Sequence, residues 1–191
     1  MELLYLLFLF ILLLTILVAC VFSVSLIVGL FMAKGVPFVS SPAYDLQNIC
    51  RAVELKPGEV IYDLGCGKAN LLTVASKEFK AKGVGYEISL WPYVWGRLRI
   101  WLSGADVQLH LKDFFKADLK NADVVFCYLF PEIMAKLEPK FKAELRPGAR
   151  VVSYSFKLPT IVPEKIVDGK QPGGFVDKNL RTTGKIYVYK F

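Results

Sequence analysis

The chain has 191 residues, a formal net charge of +7 and a mean hydropathy of +0.44. That length allows one domain with its own core and excludes two ordinary ones. Four scattered cysteines without a CxxC pair exclude a zinc pattern and a disulfide framework and fit a reducing compartment, and the single His110 cannot build a metal site alone.

From Leu3 to Ala33 there is no charged residue. A helix needs about 20 apolar residues to cross a bilayer core, so this run spans with tilt or projects beyond one interface. The rival reading is a secretory signal. A signal has a basic first region and an apolar stretch of about 7–15 residues. Here Glu2 is the one early charge, and the run is about twice as long. Residues 1–33 are therefore read as a retained single-pass membrane anchor. All 24 Lys+Arg lie at or beyond Lys34, and Glu2 is the sole acid of 17 before it, which leaves the remainder a formal +8. The positive-inside rule places that remainder on the cytoplasmic or equivalent side. The charge suits anionic lipid or an acidic partner, or simply a basic surface. No Lys/Arg block or RNA-binding motif points to nucleic acid, and none is expected as a partner.

Residues 34–45, rich in Gly, Pro and Ser, read as a linker, with Ser41 or Asp45 as a cap for a helix through Leu46, Ile49, Cys50 and Val53. Residues 46–191 form the folded domain. After a turn at 56–59, "VIYDLG" (60–65) is a short apolar run expected of a buried parallel strand. A helix over 70–80, a strand at 83–88, a helix over 91–103 and a strand at 107–113 follow. Next come a strand at 123–130 and a helix over 131–145, where Pro131 suits the first position and Pro139 is expected to kink or divide. A fifth strand lies at 147–156. The tail 184–191 alternates as a last strand, paired near 163–168. Strands alternating with helices predict an α/β, Rossmann-like doubly wound sheet, mostly parallel with an antiparallel last strand. Trp91, Trp95, Leu98 and Leu102 recur at helical spacing with Arg97 and Arg99 nearby. This stripe is read as core against the sheet, the alternative being a membrane interface. His110 is read as structural.

In such sheets ligands bind beyond the carboxyl ends of the strands, at the switch point. Gly65 and Gly67 follow the first strand there. A dinucleotide fingerprint G-x-G-x-x-G needs a third glycine, and Asn70 stands in its place. The loop instead reads D-x-G-x-G, with Asp63 two residues before Gly65. A carboxylate there suits a cation and repels a pyrophosphate. Glu87 ends the second strand, 20 residues after Gly67, where an acid accepts both hydroxyls of a ribose. Asp113 ends the third strand within reach of an adenine amino group. Three acids ending three successive strands describe a pocket for an adenosine that bears a positive group and no phosphate. S-adenosylmethionine (SAM) is that molecule.

With "VIYDLGCG", "VGYEI" and "LKDFF" in this order, residues 40–191 resemble the class I, seven-strand SAM-dependent methyltransferases. "PFVSSPAYD", "GYEISLWPYVWGRLR" and "LEPKFKAELRPGARVVSYSFKLPTIVP" are similar to a narrower group. These are membrane-anchored protein lysine methyltransferases acting on the ATP synthase c-subunit or the adenine nucleotide translocase, with prokaryotic relatives. The resemblance implies cofactor-binding roles for Asp63, Gly65, Cys66 and Gly67 at the methionine end, Glu87 and Ile88 at the ribose, and Asp113 and Phe114 at the adenine. It implies a lip at 40–44 over the methyl group and an acceptor-facing loop at 128–132. Tyr128, Glu132 and Tyr44 are the candidate catalytic residues, with Phe130 beside them. Lys68, Ala69 and Asn70 depart from the acid–glycine–base continuation common in the family. Ala69 is unstrained at negative φ and costs about 1 kcal/mol at positive φ. A short chain before the tail predicts a missing helix. The expected function is methylation of a lysine in a membrane-associated protein, with a lipid or small amphiphile as acceptor, or a non-catalytic SAM-binding domain, as alternatives.

Overall fold

A computed structural model describes residues 1–32, 45–169 and 184–191. Tyr44, Ser41, the predicted lip at 40–44 and most of the linker lie outside the described residues. The elements are α1 (Glu2–Met32), α2 (Leu46–Ala52), β1 (Val60–Leu64), α3 (Asn70–Phe79), β2 (Lys82–Glu87), α4 (Leu90–Ser103), β3 (Val107–Leu111), β4 (Val124–Cys127), α5 (Pro131–Glu144), β5 (Arg150–Tyr154), β6 (Lys165–Asp168) and β7 (Lys185–Lys190). Seven strands form one sheet in the order β3-β2-β1-β4-β5-β7-β6. β1 pairs in parallel with both β2 and β4, Leu64 lying opposite Tyr86 on one side and Cys127 on the other. The chain thus winds outward in both directions from β1, and the switch point falls at the end of β1. β7 runs antiparallel between β5 and β6. The expected partner of the tail is β6; its pairing with β5 as well carries it into the sheet's interior.

Each face of the sheet buries its own cluster. Ile61, Val124 and Val152 pack with Ile49 of α2 and with Leu71 and Leu72 of α3. Leu64, Val125 and Val151 pack with Met134, Leu137 and Phe141 of α5. Each such apolar side chain contributes about 1.5–3 kcal/mol on full burial. α5 is continuous through Pro139. Proline removes the bond to the carbonyl of Ala135, but Ala135 and Pro139 both face solvent, where water replaces it. Asp45 stands at the N-cap of α2 without capping it. Its carboxylate is fully buried and accepts from the Tyr154 hydroxyl (2.8 Å) and from Asn48 Nδ2 (3.1 Å). Among the described residues no helix lies between β5 and β7.

α4 departs from expectation in orientation. Its buried face is Gly96, flanked by Tyr93 and Ile100 against the core. Trp91, Trp95, Leu98 and Leu102 are exposed, Leu102 at 70%. The helix has two apolar faces, and the smaller one meets the sheet because Gly96 permits a close approach. A Cβ at Gly96 would lie 2.8 Å from Leu109 Cδ1.

The glycines of β2 act in the same way under α3. A Cβ on Gly85 would sit 2.5 Å from Leu109 Cδ2, 2.7 Å from Cys66 Sγ and 2.8 Å from Leu72 Cδ1. Gly85→Ala is therefore expected to destabilise the fold by about 1–3 kcal/mol through overpacking. A lowered denaturant midpoint with an unchanged m-value would register this; an unshifted midpoint would contradict the packing.

Candidate functional site

The loop after β1 is shaped by committed amides. The N–H groups of Gly65 and Cys66 both donate to the Tyr86 carbonyl, at 2.9 and 3.0 Å. Gly67 N–H donates to Glu87 Oε2 at 2.9 Å, and Ala69 N–H donates to the Cys66 carbonyl at 2.8 Å. Gly65 and Gly67 take φ of +91° and +54°, the left-handed region that glycine enters without strain. Ala69 joins them at φ +56° as the N-cap of α3, completely buried. The loop thus asks for the left-handed conformation at three alternate positions, and the third is filled by a residue with a Cβ. Helix-to-sheet packing, which the third glycine of a dinucleotide loop provides, comes here from Gly83 and Gly85 across the gap. Gly96 brings α4 down on the same loop: its Cβ would lie 3.3 Å from the Gly67 carbonyl oxygen.

Asp63 and Glu87 end adjacent parallel strands and are 4% and 5% exposed. No donor among the described residues reaches Asp63. Burial, and secondarily the nearby Glu87 carboxylate, push it up to about 8. Glu87 is also raised, by burial first, against the stabilising N–H groups of Ser89 (2.8 Å) and Gly67. Cys66 sends its side chain into the core, where burial drives the thiol upward, so only its backbone belongs to the loop. Asn70 Oδ1, which sequence reasoning did not assign to the site, is buried with no hydrogen-bond donor among the described residues. Its one sequence signal is its place in "KAN", next to the loop. Lys68, the nearest cation in sequence, is exposed.

At the end of β3, Asp113 is half-buried and one carboxylate oxygen accepts from Phe115 N–H at 2.9 Å, capping a short turn. Phe114 and Phe115 meet at a tilt, ring centroids 4.8 Å apart. Ile88 is half-buried between Glu87 and Ser89. On the opposite side, the segment after β4 closes on the loop: Leu129 Cδ2 lies 3.6 Å from where a Gly65 Cβ would be. Tyr128 is half-buried, edge-on to Tyr154 at 5.1 Å and stacked on Phe156 at 6.2 Å; Phe130 meets Phe156 at 5.8 Å. Glu132 is exposed in the first turn of α5.

These features fit one ligand chemistry. Two buried carboxylates and an unpaired amide oxygen require positive charge and donors. The amides that a pyrophosphate needs are already bonded, and it would meet two acids. A cationic adenosyl group satisfies both conditions. Fold and site together define a SAM-dependent methyltransferase domain. A solved RNA methyltransferase from Salinibacter ruber, in complex with S-adenosyl-L-homocysteine, matches it at a TM-score of 0.69 and 27% identity, over 80% of this chain and 93% of that one. The family model of the ANTKMT methyltransferase domain matches residues 63–165, and the chain belongs to that family. Its cofactor is S-adenosylmethionine. The adenine nucleotide translocase lysine N-methyltransferase of Mus musculus is 36% identical over 134 residues, 69% of this chain and 58% of the relative. A protein-lysine N-methyltransferase of Saccharolobus islandicus (strain REY15A) is 29% identical over 156 residues, 80% of this chain and 93% of the relative. The chain thus spans little more than half of the mouse relative's length.

Two measurements probe the loop. Ala69→Gly removes the left-handed strain and is expected to raise folding stability by about 1 kcal/mol, seen in equilibrium unfolding. A destabilised variant would contradict the strain. The second concerns pH. Asp63 keeps its proton up to about 8 in the ligand-free protein, and a cation favours the ionised form. Calorimetric SAM affinity should therefore fall as pH drops below about 8, by up to about tenfold per unit, with a proton released on binding. The sign for folding is opposite. The folded state holds a proton that the unfolded chain has lost, so ligand-free stability declines as pH rises from 3.8 to about 8. A pH-independent affinity would count against pairing with Asp63.

Proposed function

We propose that the chain methylates a lysine side chain of a membrane-associated protein, from a domain tethered by α1 on the cytoplasmic or equivalent side. The observation that carries this is the match to lysine N-methyltransferases, one of which names an adenine nucleotide translocase as its target. α1 supports the tether. Glu2–Val24 is apolar and long enough to cross a membrane, and none of it is buried in the protein. The Thr15 and Ser23 hydroxyls are satisfied within the helix, on the Leu12 carbonyl (2.7 Å) and the Ala19 carbonyl (2.9 Å), as lipid requires.

SAM supplies a methyl group on a sulfonium, which leaves as a neutral thioether. The protein's part is to hold, align and exclude water. Asp63 offers its carboxylate to positive charge at the methionine end. Glu87 has a second lone pair on each oxygen for the ribose hydroxyls while it keeps Gly67 and Ser89 in place. The remaining oxygen of Asp113 would accept from the adenine amino group, with Phe114 and Ile88 as apolar walls. The acceptor lysine must arrive uncharged. The aromatic group of Tyr128, Phe130 and Phe156 disfavours an ammonium by desolvation. Glu132, exposed in the first turn of α5, takes the released proton.

The test uses the full chain, methyl-labelled SAM and membranes, followed by solvent extraction and peptide mass spectrometry. The expected result is label on a lysine of a membrane protein, and a severe loss of turnover with retained cofactor binding in Tyr128→Ala. Label recovered only in the lipid extract would overturn the lysine reading. Binding of SAM with no transfer to any fraction would overturn catalysis.

A further inference from the structure

We propose that α4 is a second membrane contact, lying in the lipid headgroup region alongside the point where α1 leaves the bilayer. This rests on α1 being a membrane anchor, as proposed above. The face turned outward by α4 carries Trp91, Trp95, Leu98, Trp101 and Leu102, with Trp101 77% and Leu102 70% exposed. Contiguous apolar surface of this kind is uncommon on a soluble monomer. At 3.6 residues per turn these five fall on one side of the helix, and Arg97 and Arg99, both exposed, border it on opposite flanks. Tryptophan in the middle with arginine at the margins is the composition of a helix lying in an interface plane.

Two observations select lipid as the occupant. The first is depth. A span beginning at Leu3 uses about 20 residues to cross the hydrocarbon core and ends near Phe22. Phe22 meets α4 there, edge-on to Trp91 at 5.2 Å. The apolar face of α4 is therefore continuous with α1 at the level of an interface. The second is charge. The chain beyond α1 is a formal +8, which draws this surface toward anionic headgroups. The inner face of α4 rests on the cofactor loop through Gly96, so the same helix fixes the methyl-donor site relative to the bilayer. A membrane-embedded acceptor would then meet the site at one height.

All three tryptophans of the chain lie on this face, so intrinsic fluorescence reports α4 alone. The full chain with Trp91→Phe and Trp95→Phe leaves Trp101 as the sole tryptophan, excited selectively over the tyrosines. It is reconstituted into vesicles of phosphatidylcholine and phosphatidylglycerol, with and without acyl chains brominated near the headgroup. We expect loss of Trp101 emission with brominated lipid, protection from acrylamide, and a depth of about 5–10 Å below the headgroups. Adding Leu98→Glu and Leu102→Glu, both exposed, should abolish the quenching while S-adenosylhomocysteine binding persists as proof of folding. Carbonate extraction reads α1 separately. Trp101 that stays open to acrylamide and blind to bromine in an unextracted chain overturns the proposal and leaves the face to a protein partner. An extracted chain refutes the anchor, and Trp101 quenching still decides α4: quenched, it binds lipid unaided; unquenched, both readings fail.

Discussion

Asp63 and Glu87 sit at the ends of neighbouring strands, each about 95% hidden, with no cation among the described residues to offset them. Burying a carboxylate costs far more than a surface ion pair returns. Most of the site's organisation follows from that tension. Glu87 is held by two backbone N–H groups, one of them in the loop it faces, so the acid and the loop fix each other. Asp63 has no such support and keeps its proton instead. The ligand-free domain thus carries one buried acid supported by backbone N–H groups and a second, neutral one beside it. Dinucleotide sites place helix N–H groups where phosphate will be; this one spends its amides on carbonyls and an acid.

Holding acids that close demands tight backbone approach on every side. β2 contributes it with Gly83 and Gly85, α4 with Gly96, and the loop with Gly65 and Gly67. Ala69 is the exception. Its left-handed backbone is retained although a Cβ opposes it, because the Ala69 N–H bond to Cys66 and the first turn of α3 both depend on that conformation. Strain of about 1 kcal/mol is a small fraction of a domain's stability and leaves the loop closed.

The strands, and the placing of acids at their ends, were legible because they rest on local signals. Apolar runs of strand length, a D-x-G-x-G turn and acids at strand ends survive folding unchanged. What was not legible depends on contacts distant in sequence. Asp45 reads as a cap, but Tyr154, 109 residues away, takes its carboxylate into the core. Pro139 reads as a break, yet its lost bond faces water and the helix continues. Asn70 carries no signal of its own, since its importance lies in an oxygen left without a donor. The outer stripe of α4 has the right period for core but the wrong address. Periodicity shows that a face exists without showing what it meets. The deciding residue was Gly96, whose missing side chain draws the opposite face onto the sheet.

α4 therefore connects two environments through one small residue. On its inner side the helix backbone approaches the Gly67 carbonyl, so any shift of α4 is felt at the loop after β1. On its outer side large aromatics extend toward α1, with Trp91 against Phe22. A bulkier residue at position 96 would lift the helix from the loop and tilt those aromatics at the same time. Methyl transfer requires alignment to well under an ångström, whereas a flexible tether alone fixes distance only loosely. A rigid helix shared between the loop after β1 and an apolar outer surface would resolve that mismatch under the proposed tether: it would convert the position of α1 into an orientation of the loop.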